Sequence, residues 1–107
     1  MDDIRIFTTP ILDGIRIVEY KEMIIVRNVR AMSLIRDMMT KVRDIVGGRS
    51  GSYQEVMKKI EDDVIAEAKE QARQMGANAI VDFALDYDSI DGLLMGSAKG
   101  TAVIIEQ

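Results

Sequence analysis

Val81-Asp82-Phe83-Ala84-Leu85-Asp86-Tyr87-Asp88 is the stretch on which the fold turns. Large apolar side chains alternate with short or acidic ones throughout, the period of a strand with one buried face. Successive side chains of a strand point to opposite sides. The pattern therefore puts Val81, Phe83, Leu85 and Tyr87 on one face, and Asp82, Ala84, Asp86 and Asp88 on the other. Asp91-Gly92 then turns the chain, and Leu93 to Ile105 reads as the partner strand. Its Gly96, Ala98, Gly100 and Ala102 share a face. That row of small side chains admits close approach, most simply by a helix lying across the sheet.

Upstream of this hairpin the period is helical. Met57, Ile60, Val64, Ala68, Ala72 and Met75 make one apolar stripe, opened by Ser52 and Glu55 at capping-box spacing and closed by Gly76. The helix is long for a chain of 107 residues, which leaves part of it for contact with a neighbouring chain. An earlier helix is expected from Ala31, with Leu34, Ile35, Met38, Val42 and Ile45 apolar and Gly47-Gly48 at its end. Ile15 to Arg27 reads as a long strand, bent or bulged, because no single period-2 face fits the whole run. Ile4 to Phe7 alternate weakly and stop at Thr8-Thr9-Pro10, since proline cannot donate to a ladder. This order predicts an α+β fold in one domain over residues 1–107: a small, largely antiparallel sheet of three strands covered by two helices. Such a sheet, with its carboxylate face uncovered, is a poor monomer and points to a homo-oligomer.

Composition removes whole classes of function. The chain has no cysteine and no histidine. Without them there is no thiol nucleophile, no imidazole to activate a serine, and no usual ligand set for soft or borderline metals. Net charge is −4, so no basic surplus exists to neutralise nucleic-acid phosphates or anionic lipid. Neither nucleic acid nor membrane is expected as a partner. The acidic N-terminus lacks a basic leader, no long apolar span occurs, and a cytoplasmic location follows. With two Phe, three Tyr, no Trp and eight Met, few flat rings remain to stack a base or flavin.

Arg43-Asp44-Ile45-Val46-Gly47-Gly48-Arg49-Ser50-Gly51-Ser52-Tyr53 resembles the interhelical loop of the YbjQ-like proteins, uncharacterised domains labelled as heavy-metal-binding. Thr8-Thr9-Pro10, Gly76-Ala77-Asn78-Ala79 and Gly100-Thr101-Ala102 match in the same order, so the resemblance spans the chain. It implies a two-layer fold like that of a dodecin subunit, and a ring-shaped homopentamer. It implies no reaction. The metal label sits badly with a chain that has only carboxylates, carbonyls and thioethers to offer, a donor set suited to hard ions.

Two candidate sites follow. Arg43, Gly47, Gly48, Arg49, Ser50, Gly51 and Ser52 hold the ingredients of an anion nest: glycines that let backbone N–H groups converge, a helix N-terminus and two cations. The same residues also make an ordinary interhelical turn. No Gly-Lys-Ser/Thr ending is present, so this is not a P-loop. Asp82, Asp86 and Asp88 form the second candidate. Residues two apart on a strand stand about 6.6 Å from each other on one face, so Asp86 and Asp88 share a divalent cation only with a third ligand from a neighbour. Otherwise they make a solvated face. A glycosidase-like acid pair lacks an aromatic platform, and Met38, Met39 and Met95 read as packing, not as Cu(I) ligands. No cofactor is expected, a divalent cation being the one the residues leave open. The resulting reading is a non-catalytic homo-oligomeric module, a pentameric ring, that binds a small ligand, an ion or a protein partner. The alternatives are a divalent-metal protein, or an enzyme that applies Arg43, Arg49 and the Asp cluster to a small anionic substrate.

Overall fold

In the computed structural model, which describes residues 3–30, 51–90 and 93–106, the helical stripe and the hairpin meet as their patterns require. Helix α1 (Gly51–Gln74) lies across a sheet of β1 (Arg5–Ile6), β2 (Ile17–Arg30), β3 (Ala79–Ile90) and β4 (Leu93–Ile105), in spatial order β1-β3-β4-β2. The architecture is α+β. β4 pairs antiparallel with both β2 and β3. The sheet has four strands instead of three, and it is mixed, because the short N-terminal run adds β1 parallel to β3 through Arg5–Ala79 and Ile6–Ile80. The expected helix from Ala31 lies outside the described residues.

The stripe of α1 is buried as predicted, with one addition. Val56, Ile60, Val64, Ala68 and Ala72 are almost fully covered, and Met57 and Met75 are partly so. They pack on Ile24 and Val26 of β2, Ile80 and Phe83 of β3, and Leu94, Ala98 and Ala102 of β4. Each fully buried Ile or Val contributes about 1.5–3 kcal/mol. Small residues on β4 let the helix come this close: a Cβ at Gly96 would overlap the Ile60 side chain. Lys58–Asp62 and Lys59–Asp63 pair on the solvent side at 3.2 and 3.5 Å.

The end of α1 is a Schellman motif. Ala77 N–H donates to Ala72 O and Gly76 N–H to Arg73 O, both at 3.0 Å, with Gly76 at φ +79°. Ala72 and Ala77 are both buried in the core beneath it. Asn78 follows and locks the exit strand: its side-chain amide donates to Ile105 O at 3.0 Å and accepts from Ile105 N–H at 2.7 Å. At its other end the helix starts one residue before the capping-box position, so Ser52 falls inside the first turn.

One expectation about faces is corrected. Val81 pairs with Thr101 and Ala84 with Lys99, so β3 carries one extra residue at this point, a β-bulge. Asp82 takes φ 57° there, the left-handed region that a short polar side chain tolerates best after glycine. The bulge flips the alternation. Val81 packs with Ala79, Val103 and Ile105 beneath Phe7, Leu12, Ile15 and Ile17, whereas Phe83 packs toward α1. Gly100 stands opposite, and a Cβ on it would lie 2.7 Å from Ile80 Cγ2 and 3.2 Å from Val81 O. Its smallness serves the bulge more than the helix. β2 carries two register shifts of its own, at Ile17/Glu19 and Tyr20/Met23, which is why no single alternation fitted that run.

Candidate functional site

The sheet face away from α1 is only half covered. Residues 7–17 cross its lower end, tied down by Phe83 N–H to Phe7 O and Asp82 N–H to Thr9 O, both 3.0 Å. Thr8-Thr9-Pro10 belongs to this strap. Among the described residues the upper half is open. Cross-strand register lines up two rows of side chains on it: Arg27–Ser97–Asp86 and Ile25–Lys99–Ala84, running β2–β4–β3. With Met23 they border a shallow cleft of about 300 Å³. A smaller hollow of about 160 Å³ continues past Arg27 and Asp86 toward Asp88 and Met95.

The floor is apolar and its rim is charged. Met23 and Ile25 are 63% and 45% exposed, high for such side chains on a strand. Arg27 and Lys99 sit on neighbouring strands two positions out of register, a diagonal pair about 7–8 Å apart at Cα. Neither joins an ion pair among the described residues. Asp86, the acid across from Arg27, borders the same cleft, and its Oδ1 accepts the N–H of Tyr87 at 3.0 Å. Asp88 does the same with Ser89 N–H at 2.8 Å.

Those two bonds have a structural cause. Phe83 N–H points off the outer edge of β3, toward Phe7. Backbone groups alternate along a strand, so the amides of Leu85, Tyr87 and Ser89 point off the same edge, beyond the reach of the two-residue β1. Asp86 and Asp88 cap two of these edge donors. Tyr87, on the helix side, donates its hydroxyl to the Glu61 carboxylate. Burial first, and then the bond to Glu61 and its charge, push the phenol up to about 12.

The residues singled out in the sequence separate in space. Asp82 lies at the bulge and Asp86 and Asp88 on the β3 edge, and among the described residues no three carboxylates stand close enough to hold a metal ion. Gly51 and Ser52 are in the first turn of α1; Arg43, Gly47, Gly48, Arg49 and Ser50 lie outside the described residues. Sequence reasoning missed Arg27, Ser97, Lys99 and Met23 as a group. Each was visible as a strand residue, but only the bulged register of β2 against β4 brings them together. No helix among the described residues is long and apolar enough to cross a membrane.

A family model described as "Putative heavy-metal-binding", the YbjQ family, matches residues 4–106. The chain belongs to this family. Among its relatives, the UPF0145 protein of Persephonella marina is 39% identical over 94% of this chain and 98% of its own length. The UPF0145 protein of Bacillus cereus is 42% identical over 92% and 96%. A solved structure from Pediococcus pentosaceus, a DUF74-family protein of unknown function, superposes with a TM-score of 0.63 at 15% identity, covering 96% of this chain and 98% of that one. That likeness establishes the YbjQ chain's fold and nothing of its activity.

Proposed function

We propose that this YbjQ-family chain is a non-catalytic cytoplasmic module that assembles with copies of itself, as a homopentameric ring, through the outer edge of β2, and presents the open sheet face to a small ligand. The observation that carries the reading is the contrast between the two sheet edges. An unpaired strand edge invites another chain, and proteins that stay apart blunt it with charge. The upper edge of β3 is blunted in this way by Asp86 and Asp88. β2, the outer strand on the other side, instead exposes Val18 and Tyr20 by 49% and 64%. A ring requires the β2 edge to meet a different surface of the next copy, away from the blunted β3 edge; such a contact is heterologous and closes when the rotation allows. The chain's lack of His and Cys favours binding over catalysis.

Native mass spectrometry of untagged protein tests the assembly. The expected species is a pentamer, and Tyr20→Lys with Val18→Lys is expected to release folded monomers. Wild-type protein that stays monomeric at tens of micromolar would refute the reading.

The family description favours a second reading, a bound metal. Soft heavy metals prefer thiolate and imidazole, and this chain has neither. A hard divalent cation would have to use the second oxygens of Asp86 and Asp88, whose Oδ1 atoms accept backbone amides, and gather a further ligand such as the same residues of a neighbouring copy. Calcium or magnesium that raises the thermal midpoint of wild type, but not of Asp86→Asn/Asp88→Asn, is the expected mark of such a site. Equal shifts in both would exclude those carboxylates.

A further inference from the structure

We propose that the cleft between β2 and β4 on the open sheet face binds small organic anions with an apolar body, Arg27, Lys99 and Ser97 holding the anionic head and Met23 and Ile25 carrying the tail. The inference rests on the ligand-binding part of the proposed function and not on the ring. Its first support is charge. The chain as a whole is acidic, with a net charge of −4, yet two cations border one cleft with no carboxylate paired to either among the described residues. Asp86 borders the same cleft and keeps its charge while its Oδ1 accepts the Tyr87 amide, so the cleft carries two cations against one acid. The rim therefore carries an excess of donors: a guanidinium fork, an ammonium and the hydroxyl of Ser97, which stands opposite Arg27 in register. A single carboxylate or phosphate oxygen pair matches that set, and Arg is suited to take it bidentately.

The second support is the floor. Met23, Ile25 and Ala84 line the same cleft, and a thioether side chain adapts to varied apolar shapes. A purely inorganic anion would leave this surface wet. A neutral apolar molecule would leave Arg27 and Lys99 unused and partly desolvated. An anion about five to seven carbons long satisfies both halves, since the cleft runs over three strands at roughly 4.8 Å spacing.

The probe is hexanoate, with acetate, 1-hexanol and hexylammonium as its separated parts and its charge reversal. Protein labelled with ¹³C at the methionine methyl groups reports directly, because Met23 lies in the cleft. Saturable movement of the Met23 signal by hexanoate is expected, with hexanol weaker by about tenfold or more through loss of the charged hydrogen bonds, and acetate by about as much through loss of the buried tail. Arg27→Gln/Lys99→Gln is expected to weaken hexanoate by at least that factor while leaving hexanol unchanged. Both side chains are exposed, so circular dichroism should show the variant folded. Hexanol or hexylammonium binding as well as hexanoate, an unmoved Met23 signal, or unchanged affinity in the double variant would each overturn the proposal. Native mass spectra of the same samples keep the two ideas apart. A ring that forms without hexanoate binding refutes the site alone, and monomers that bind hexanoate refute the ring alone.

Discussion

Substituting Gly96 by Ala adds one methyl group where the structure has no room for it. Its Cβ would land on Ile60 Cγ2, with Ile60 Cβ at 3.7 Å and Val64 Cγ2 at 3.8 Å behind it. Ile60 and Val64 are both fully buried, so neither can swing outward, and relief requires α1 to lift or Ile60 to leave its rotamer. Overpacking of this kind costs about 1–3 kcal/mol. Losing glycine's unfolded-state freedom returns about 0.5–1 kcal/mol. The net expectation is a loss of about 1–2 kcal/mol. Urea unfolding at fixed protomer concentration measures it, because any self-assembly would make apparent stability depend on concentration.

The decisive control is Ile60→Leu. Moving the branch from Cβ to Cγ removes the methyl that clashes while keeping the volume, and alone costs under about 1.5 kcal/mol. In the Gly96→Ala/Ile60→Leu double variant the clash is gone, so the two effects should fall short of their sum by about 1 kcal/mol. Additive losses, or a neutral Gly96→Ala, would show that α1 does not press on β4 at this point.

Three further outcomes follow from single contacts. Asn78→Ala deletes both bonds to Ile105 and leaves a half-buried strand end without partners, a loss of about 2–3 kcal/mol in the same urea assay; a loss under about 0.5 kcal/mol would contradict the pairing. Because the Tyr87 phenol is raised to about 12 from 10.0, the native state keeps a proton that the unfolded chain releases. Its contribution is therefore complete below pH 10 and lost between about pH 10 and 12. Tyr87→Phe should flatten stability across that window, and an unchanged pH profile would count against the Glu61 contact. Asp82→Gly should alter stability by less than about 1 kcal/mol, whereas Asp82→Val, a β-branched residue at φ 57°, should lose at least about 1–2 kcal/mol. Equal behaviour of the two would argue against the left-handed bulge.

How far the sequence carried can be followed residue by residue. The stripe from Ile60 to Ala72 and the span of β4 were legible because each rests on one unbroken period. The faces of β3 were only half legible. A bulge needs a single extra residue, and nothing in Val81-Asp82-Phe83 distinguishes it from ordinary alternation; both apolar residues are buried, on opposite sides. The weak signal lay elsewhere, in Gly100, whose missing side chain makes room for the bulge across the ladder. β1 was faint because a two-residue parallel pair leaves no periodicity to detect. Arg27, Ser97 and Lys99 could not be grouped at all, since grouping them required the register of a strand with two shifts in it.

The acidic residues of β3 show how one pattern supports two physical roles and how geometry chooses between them. On the sequence, Asp86 and Asp88 read either as a solvated strand face or as ligands for a hard cation completed by a neighbour. The sheet order gives them a structural purpose. Past the end of β1 the outer edge of β3 carries donors with no strand to receive them, and a carboxylate that bends back to the next amide satisfies one such donor while placing charge where a foreign strand would dock. Asp86 bent to this task makes no ion pair with Arg27, although its charge still borders the cleft. Protecting one edge thus leaves positive charge on the open face two strands away, beside the exposed side chains of β2. Asp86→Ala separates these effects: freeing the Tyr87 amide should promote β3-edge association, and removing a nearby carboxylate should strengthen hexanoate binding at Arg27 and Lys99. If Asp86→Ala weakened hexanoate instead, the carboxylate would be part of the ligand's own site and not the reason the cations stand free.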